Sequence, residues 1–297
     1  MLDLPTPKPL PPNEPVLSYA PGSPERAALK SALKTMAGER PDAPHVIGGV
    51  PSHEGPVFEV RAPHDHSLLV ATAHDGGQAV AKQAIEAAMK AAPGWAEMRF
   101  EDRARVFMRA ADLLAGPWRQ VVNAATMLGQ SKTAFQAEID SACELIDFLR
   151  FNVAFAQQIA DVQPQSGAGV WNTTDYRPLD GFVFAVAPFN FTAIALNLCT
   201  APALMGNAVL LKPAETATLA AWTFLNVLRE AGLPDGVINF LPGPGAPIGS
   251  AALAHPDFGG LHFTGSTATF NAMWKQIGDQ LPRYRQYPRI VGETGGK

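Results

Sequence analysis

Two short segments of this sequence carry side chains whose types and spacing could do chemistry on a bound molecule. Asn190, within residues 188–191, offers an amide that can donate to a developing oxyanion, although an asparagine before a helix is more often an N-cap. Lys212 and Glu215 have the spacing to hold the two hydroxyls of an adenosine ribose. The same pair could form an ordinary surface ion pair, worth about a kcal/mol or less. Each segment alone leaves both interpretations open.

Two glycine-containing segments could let the backbone approach a ligand closely. Gly243, Gly245 and Gly249 have the spacing G-x-G-x-x-x-G, although the prolines between them favour an ordinary turn. Residues 263–266, Phe-Thr-Gly-Ser, lead into a helix whose first amides could face a pyrophosphate, and the alternative is a tight turn between strand and helix.

All four segments follow stretches that read as buried strands. Alternation of strands and helices is typical of a parallel sheet covered on both faces, whose ligands bind at the carboxyl ends of the strands. We therefore predict an α/β fold with a Rossmann-like parallel sheet, and we expect the four segments to meet at one edge. The predicted strands span residues 182–188, 209–213, 237–243 and 260–266, and the helices span about 192–205, 217–231 and 246–254.

The earlier part of the chain predicts an arm, a small sheet and several helices. Proline-rich residues 1–22 indicate an extended arm, followed by a helix near residues 24–37. Short strands are expected within residues 48–73, and helical periodicity begins at Gly77. A long helix is predicted from about Lys132 to Gln158, with one apolar face. That face comprises Phe135, Ile139, Ala142, Ile146, Leu149 and Val153.

Composition excludes several classes of protein. With 47% hydrophobic and 17% charged residues, 297 residues can bury one or two ordinary cores. A net charge of −4 and the lack of a Lys/Arg run argue against nucleic acid as a partner. No stretch reaches 18 consecutive apolar residues, so we expect no membrane span and a cytoplasmic location.

Cysteines and histidines show neither a disulfide framework nor a metal signature. Cys143 and Cys199 lie far apart in apolar segments, which predicts buried free thiols. His64 and His66 flank Asp65 in a turn-like segment, with no third ligand at a recognisable spacing. We therefore expect no metal.

The order of the four segments, ending in residues 292–297 (GETGGK), resembles the aldehyde dehydrogenase superfamily from about residue 45 onward. The segments NEPVLSYAPGSPERAAL, AEIDSACELIDFLRFN and TFNAMWKQIGDQLPRYRQYPRIVGETGGK look like its pyrroline-5-carboxylate dehydrogenase branch. The resemblance implies attack of a cysteine thiolate on an aldehyde, hydride transfer to NAD and hydrolysis of the thioester. The implied reaction oxidises L-glutamate γ-semialdehyde to L-glutamate in proline degradation.

The resemblance also implies roles for matching residues. Asn190 would donate to the oxyanion, and Glu293 would act as general base for the hydrolytic water. The Glu215 carboxylate would repel a 2′-phosphate and so favour NAD over NADP. Glu144 is expected to help limit aldehyde length, with a structural ion pair as the alternative. The implied cofactor-binding residues are Ala187, Pro188, Phe189, Lys212, Glu215, Gly245, Gly249, Gly265 and Ser266.

The implied domains are an arm and helix at 1–44, an NAD-binding domain at 45–291 and the start of a catalytic domain at 292–297. The NAD-binding domain includes an oligomerisation ribbon near residues 165–180. In the family the nucleophilic cysteine follows the glutamate segment, so we expect a truncated chain without the catalytic domain, inactive alone and homo-oligomeric when full length.

Two alternatives stay open. A non-catalytic NAD-binding protein would have no use for Asn190 and Glu293, whose presence argues against it. A dehydrogenase for another semialdehyde would keep every segment named above, and it would differ only in a later loop that anchors the substrate.

Overall fold

The computed structural model describes residues 10–295, which form two sheets. Residues 1–9 of the predicted arm, and Gly296 and Lys297 of the GETGGK segment, lie outside the described residues. The strands are β1 (Asp42–Ala43), β2 (His45–Ile47), β3 (Val50–Ser52), β4 (Val57–Ala62), β5 (Asp65–His74), β6 (Phe182–Val186), β7 (Ala208–Lys212), β8 (Ile238–Phe240), β9 (Phe258–Gly265) and β10 (Arg289–Thr294).

Helices cover both faces of the larger sheet and fill the region before it. A π-helical segment, Glu138–Glu144, joins two of them into one continuous run. The α-helices are α1 (Pro24–Glu39), α2 (Gly77–Glu97), α3 (Phe100–Ala115), α4 (Arg119–Gln130), α5 (Ala134–Ala137), α6 (Leu145–Ala160), α7 (Thr192–Leu204), α8 (Thr218–Glu230), α9 (Gly245–Leu253) and α10 (Thr267–Asp279).

The larger sheet has seven strands in the order β10-β9-β6-β7-β8-β2-β3. From β10 to β8 the strands are parallel, while β2 and β3 are antiparallel additions. The chain runs from β6 through β7 to β8 in one direction and then returns to place β9 on the other side of β6. Ligands of such sheets bind where the strand order reverses, here between β6 and β9. The predicted α/β fold with a parallel sheet is confirmed.

Strand β6 shows why this part of the sequence folds as a covered sheet. Its residues are almost all buried, and alternate side chains enter different apolar clusters. Val183 and Ala185 pack in the cluster that contains residues of α7 and α8, whereas Phe182 and Phe184 pack with residues of α2 and α9. A strand buried on both faces requires a continuous apolar run, which is the pattern observed.

Elements predicted from residue 182 onward are confirmed, whereas the earlier part differs in three respects, the third of which concerns the long helix. A small sheet of order β1-β5-β4 exists as expected, but Val50–Ser52 pairs with β2 at the edge of the larger sheet instead. Helix α4 (Arg119–Gln130) was not predicted. Within residues 10–295, no helix is both long and apolar enough to cross a membrane.

The apolar face predicted for one long helix is wrong at its first two positions. Phe135 is 65% exposed and Ile139 is 38% exposed, whereas Ile146 and Leu149 are buried as expected. A π-helical turn bonds residue i to i+5 and so rotates the residues before it relative to those after it. The π-helical segment contains Ile139 of the predicted face, and Glu138 and Asp140 on either side of it are buried instead.

The described part of the arm, residues 10–22, lies along the π-helical segment and α6. The Leu17 amide donates to Glu138 Oε1 at 2.8 Å, and the Tyr19 hydroxyl donates to Glu138 Oε2 at 2.7 Å. The Glu14 amide donates to Asp147 Oδ1 at 2.8 Å. These contacts hold an extended segment that has no helix or strand of its own.

Candidate active site

A cavity of about 730 Å³ lies at the carboxyl ends of β6, β9 and β10, beside the point where the strand order reverses. We call it the main cavity. Its position agrees with the rule for ligand sites of open parallel sheets. The predicted site residues that line it are Ala187, Pro188, Phe189, Asn190, Gly265, Ser266 and Glu293.

Asn190 lies in the loop between β6 and α7, and it does not cap that helix. The first amides of α7 are bound by another residue: Asp140 accepts from Thr192 N at 2.9 Å and from Ala193 N at 2.8 Å. Within the described part of the chain, the Asn190 side chain has no hydrogen-bond partner, and it lines the main cavity. Its amide is therefore free to donate to a bound molecule, and the N-cap alternative is wrong.

Residues that sequence analysis did not predict support the loop that carries Asn190. Lys132 Nζ donates to Asp140 at 2.6 Å and stands 4.0 Å from the centre of the Phe191 ring. The hydroxyls of Thr126 and Thr192 share a hydrogen bond of 2.8 Å. Asp140 lies 52 residues before Thr192 and acts through the unpredicted π-helical segment, so local sequence gave no signal of this contact.

Glu293 reaches the main cavity from β10, the edge strand of the larger sheet. It pairs with Thr264 of β9, and its side chain is exposed. The strand begins at Arg289, so the domain boundary expected after residue 291 falls inside it. A carboxylate that is open to water and faces the same cavity as the Asn190 amide can accept a proton from a water molecule there.

A second cavity of about 300 Å³ adjoins the main one and shares Val186 and Thr269 with it. Lys212, Gly245 and Gly249 line this second cavity. They are the remaining predicted cofactor residues apart from Glu215. Together the two cavities form an extended space along the strand ends, as a dinucleotide needs.

Lys212 forms an ion pair with Glu215 in which the ammonium is buried and the carboxylate is half exposed. The residue is 7% exposed, and its Nζ lies 3.7 Å from Glu215 Oε1. Burial lowers the pKa of the Lys212 ammonium, and the Glu215 carboxylate opposes that shift. A Cβ on Gly245 would stand 3.5 Å from this Nζ, so the glycine keeps space beside the ammonium open. A buried ammonium with one distant partner retains donors for ligand hydroxyls.

The segment at residues 263–266 forms the tight turn that was its alternative interpretation, and it also lines the main cavity. Ser266 caps α10 by accepting from Thr269 N at 3.1 Å. A Cβ on Gly265, the last residue of β9, would lie 2.8 Å from Phe263 Cζ, so a larger residue there would require the Phe263 ring to shift. The role of this segment at a pyrophosphate stays a prediction.

One face of α10 lines the second cavity and was not predicted from the sequence. The residues are Thr269, Met273 and Gln276, spaced by four and three positions. The helical spacing of these three residues, directly after Ser266, is the sequence signal that could have identified them.

Glu144 is not brought into the main cavity. It lines a separate groove with Cys143 and Phe148, and no ion pair between described residues involves it. Burial raises the pKa of the Glu144 carboxyl, and the charges of Asp140 and Glu293 add to the increase. The ion-pair alternative is thus not supported, and a role in limiting substrate length stays a prediction.

Both cysteines are buried free thiols, as predicted. Burial raises the pKa of Cys143 to about 12, with the nearby Glu138 charge adding to it, and burial raises the pKa of Cys199 to about 12. Neither thiol lines the main cavity. Since the thiolate is the nucleophile, neither cysteine is suited to attack a carbonyl there.

Comparison with known proteins gives consistent matches. The model of the aldehyde dehydrogenase family matches residues 50–297. The delta-1-pyrroline-5-carboxylate dehydrogenase of Agaricus bisporus is 50% identical and is matched over 96% of this chain and 52% of its own length. The mitochondrial enzyme of that name from Homo sapiens is 46% identical, with 96% and 51% covered. This chain thus spans about half the length of these curated relatives.

Solved structures agree with the family match. The Delta-pyrroline-5-carboxylate dehydrogenase from Mycobacterium tuberculosis bound with NAD superposes with a TM-score of 0.96 at 56% identity, covering 99% of this chain and 55% of that one. The 1-pyrroline-5-carboxylate dehydrogenase from Thermus with bound NAD gives a TM-score of 0.89 at 32% identity, covering 98% and 56%.

Proposed function

This chain belongs to the aldehyde dehydrogenase family, and from that premise we propose that it supplies the nucleotide-binding part of an NAD-dependent dehydrogenase. The proposed reaction oxidises L-glutamate γ-semialdehyde to L-glutamate in proline degradation. The observation that carries the proposal is the meeting of an unpartnered amide, Asn190, and an exposed carboxylate, Glu293, in one cavity at the strand ends. The names of the relatives support the substrate.

Lys212, Gly245 and Gly265 would hold NAD across the two adjoining cavities, and the bound cofactor would supply the hydride acceptor. Lys212 would donate to the adenosine ribose, where its burial strengthens a hydrogen bond to a hydroxyl. The Glu215 carboxylate, 3.7 Å from Lys212 Nζ, would repel a 2′-phosphate, so we propose NAD as the preferred cofactor.

Asn190 and Glu293 would act at different stages of the same reaction. The Asn190 amide would donate to the oxygen of the aldehyde as negative charge develops on it. Glu293 would remove a proton from the water that hydrolyses the acyl intermediate. The attacking group implied by the family is a cysteine thiolate, and neither Cys143 nor Cys199 fits that role.

The two alternative functions are separated by different observations. A non-catalytic NAD-binding protein would not need a free amide at Asn190. That amide is free here because Asp140, and not Asn190, accepts from the first amides of α7. A dehydrogenase for another semialdehyde would share every contact described above, so substrate preference must be measured.

We expect a dehydrogenase containing this chain to oxidise glutamate semialdehyde with a kcat/KM at least about tenfold higher than that for succinate semialdehyde. Groups built to bind an amino acid would be left unpaired by an aldehyde without the amino group. Initial rates of NADH formation with both substrates measure this. A higher kcat/KM for succinate semialdehyde would reject the proposed substrate while leaving the family assignment intact.

The 297-residue chain itself is expected to produce no NADH from NAD and glutamate semialdehyde. Burial raises both pKa values to about 12, so both thiols stay protonated at pH 8, and both lie away from the main cavity. The control is a variant with Cys143 and Cys199 both changed to serine. NADH formation that disappears in this variant would show that one of the two cysteines is a competent nucleophile.

We also propose that the enzyme forms homo-oligomers through the ribbon at residues 165–180. This segment has no helix or strand, and its side chains include the exposed Val170 and Trp171, at 58% and 87%. Exposed apolar side chains of this size favour contact with another chain. The cytoplasmic location stays a prediction, since the relatives from Dictyostelium discoideum and Homo sapiens are named mitochondrial.

A further inference from the structure

Three side chains that can bind a metal ion meet where the small sheet adjoins the larger one. Asp42 begins β1, His74 ends β5, and His53 follows β3. His74 Nε2 lies 3.1 Å from Asp42 Oδ1, and His53 Nε2 lies 3.2 Å from Asp42 Oδ2. The three ligand atoms all lie within 4.8 Å of one another. None of these residues lines the main cavity.

These are not the histidines that sequence analysis considered. His64 instead forms a hydrogen bond of 2.8 Å with the Ser131 hydroxyl. Residues 42, 53 and 74 have no metal-binding spacing in the sequence, and only the fold brings them together. The expectation of no metal was based on the spacing of His64 and His66 in the sequence, so it did not concern residues 42, 53 and 74.

The sheet fixes two of the three ligands before any ion binds. Asp42 pairs with Thr72 in the parallel β1–β5 ladder, and the Thr72 hydroxyl donates to Asp42 Oδ1 at 3.0 Å. The His74 side chain is 7% exposed, and its Nδ1 has no partner among residues 10–295, so Asp42 is the polar contact that orients this ring. Asp42 and His53 are exposed at 41% and 59%, which gives an ion access from solvent.

The spacing of the cluster fits a small transition-metal ion. A tetrahedral Zn²⁺ with bonds of about 2.0–2.1 Å holds its ligand atoms about 3.3 Å apart. His74 Nε2 and His53 Nε2 lie 3.1 and 3.2 Å from the same oxygen, Asp42 Oδ2, which is within tenths of an ångström of that spacing, and the two histidine nitrogens lie within 4.8 Å of each other. Two imidazoles and one carboxylate favour Zn²⁺ over Mg²⁺ or Ca²⁺, which prefer all-oxygen sites. Three protein ligands leave one position for water.

We propose that Asp42, His53 and His74 bind one Zn²⁺ ion, forming a site that links the small sheet to the edge of the larger sheet. His53 follows a strand of the larger sheet, whereas Asp42 and His74 belong to the small one. The ion would therefore add a link between the two sheets beside the chain connections at residue 44 and at residues 53–56. This site does not depend on the proposed dehydrogenase function.

The test is isothermal titration of the tag-free 297-residue protein with ZnCl₂, after treatment with EDTA and buffer exchange. The expected result is saturable binding of one Zn²⁺ per chain that excess Mg²⁺ does not displace. His53→Ala should weaken binding at least tenfold, and so should Asp42→Asn. Both changes are at exposed side chains, and circular dichroism of each variant checks the fold. The buried thiols of Cys143 and Cys199 do not compete.

The matched control is His66→Ala, which removes an exposed histidine of the same small sheet outside the cluster. Its Zn²⁺ affinity should equal that of the wild type. Wild-type binding no tighter than that of His53→Ala would overturn the proposal and leave a hydrogen-bonded His–Asp–His group only. Loss of binding in His66→Ala would place the ion elsewhere and overturn it equally.

Discussion

Replacing Asn190 with alanine should lower kcat about 100- to 1000-fold in an active dehydrogenase that contains this chain, which is the usual cost of one oxyanion donor. The amide has no protein partner among the described residues, and the adjacent helix is capped by Asp140. Its removal therefore takes away a contact with the reacting oxygen and leaves the loop supported. The affinity for NAD should stay within a few-fold of the wild type.

Steady-state rates measure the first effect, and a fluorescence titration with NAD measures the second. Asn226→Ala serves as the control, because that residue is on α8, where its amide donates to Trp222 O at 3.2 Å, away from both cavities. A large loss of NAD affinity in Asn190→Ala, with kcat little changed, would support a structural role and contradict the assignment.

Glu138→Ala should lower the free energy of unfolding by up to about 3–5 kcal/mol, the usual cost of removing one partner from a buried ion pair. Glu138 is fully buried and forms an ion pair with Arg119, which is 5% exposed. It also accepts from Tyr19 OH at 2.7 Å and from Asn123 Nδ2 at 2.9 Å. The variant leaves Arg119 with Glu14 as its remaining carboxylate partner and removes the contacts of Leu17 and Tyr19 with Glu138. Urea denaturation followed by circular dichroism measures the change.

Glu144→Gln is the matched control within the same helical run. Burial raises the pKa of the Glu144 carboxyl, so a neutral side chain there should leave stability unchanged or raise it slightly. Burial would also raise the pKa of Glu138, but hydrogen bonds led by Arg119 hold it below its usual value.

A lowered pKa means that the Glu138 contribution is complete above the ordinary pKa of glutamate. It is lost as pH falls through the lowered pKa of the folded state. The difference between wild type and Glu138→Ala should therefore shrink in acid. Equal stability of the two proteins at neutral pH would contradict this account.

The sequence predicted the fold best where the local pattern of apolar residues matches the pattern of burial in the structure. Strands β6 and β7 are buried on both faces, so each appears as an apolar run, and the residues after them reach the two cavities. The Asn190 amide was identified from its type and position. Its freedom to act was not, because that depends on Asp140, a residue distant in the chain.

The features that sequence analysis missed depend on contacts between distant residues or on the direction in which side chains point around a helix. The apolar face over residues 135–153 assumed a continuous α-helix, and one wide turn displaced Phe135 and Ile139 to the surface. The cluster of Asp42, His53 and His74 depends on pairing between β1 and β5. Neither feature has a local sequence pattern.

The π-helical segment makes the arm and the Asn190 loop one cooperative unit. Glu138 holds the arm, and Asp140, two residues later, caps α7 beside Asn190. Isolated π-helical turns are rare, so this one persists through the contacts at both ends. A substitution that loosens the arm at Glu138 is therefore expected to affect the start of α7 as well, because Glu138 and Asp140 belong to the same π-helical segment.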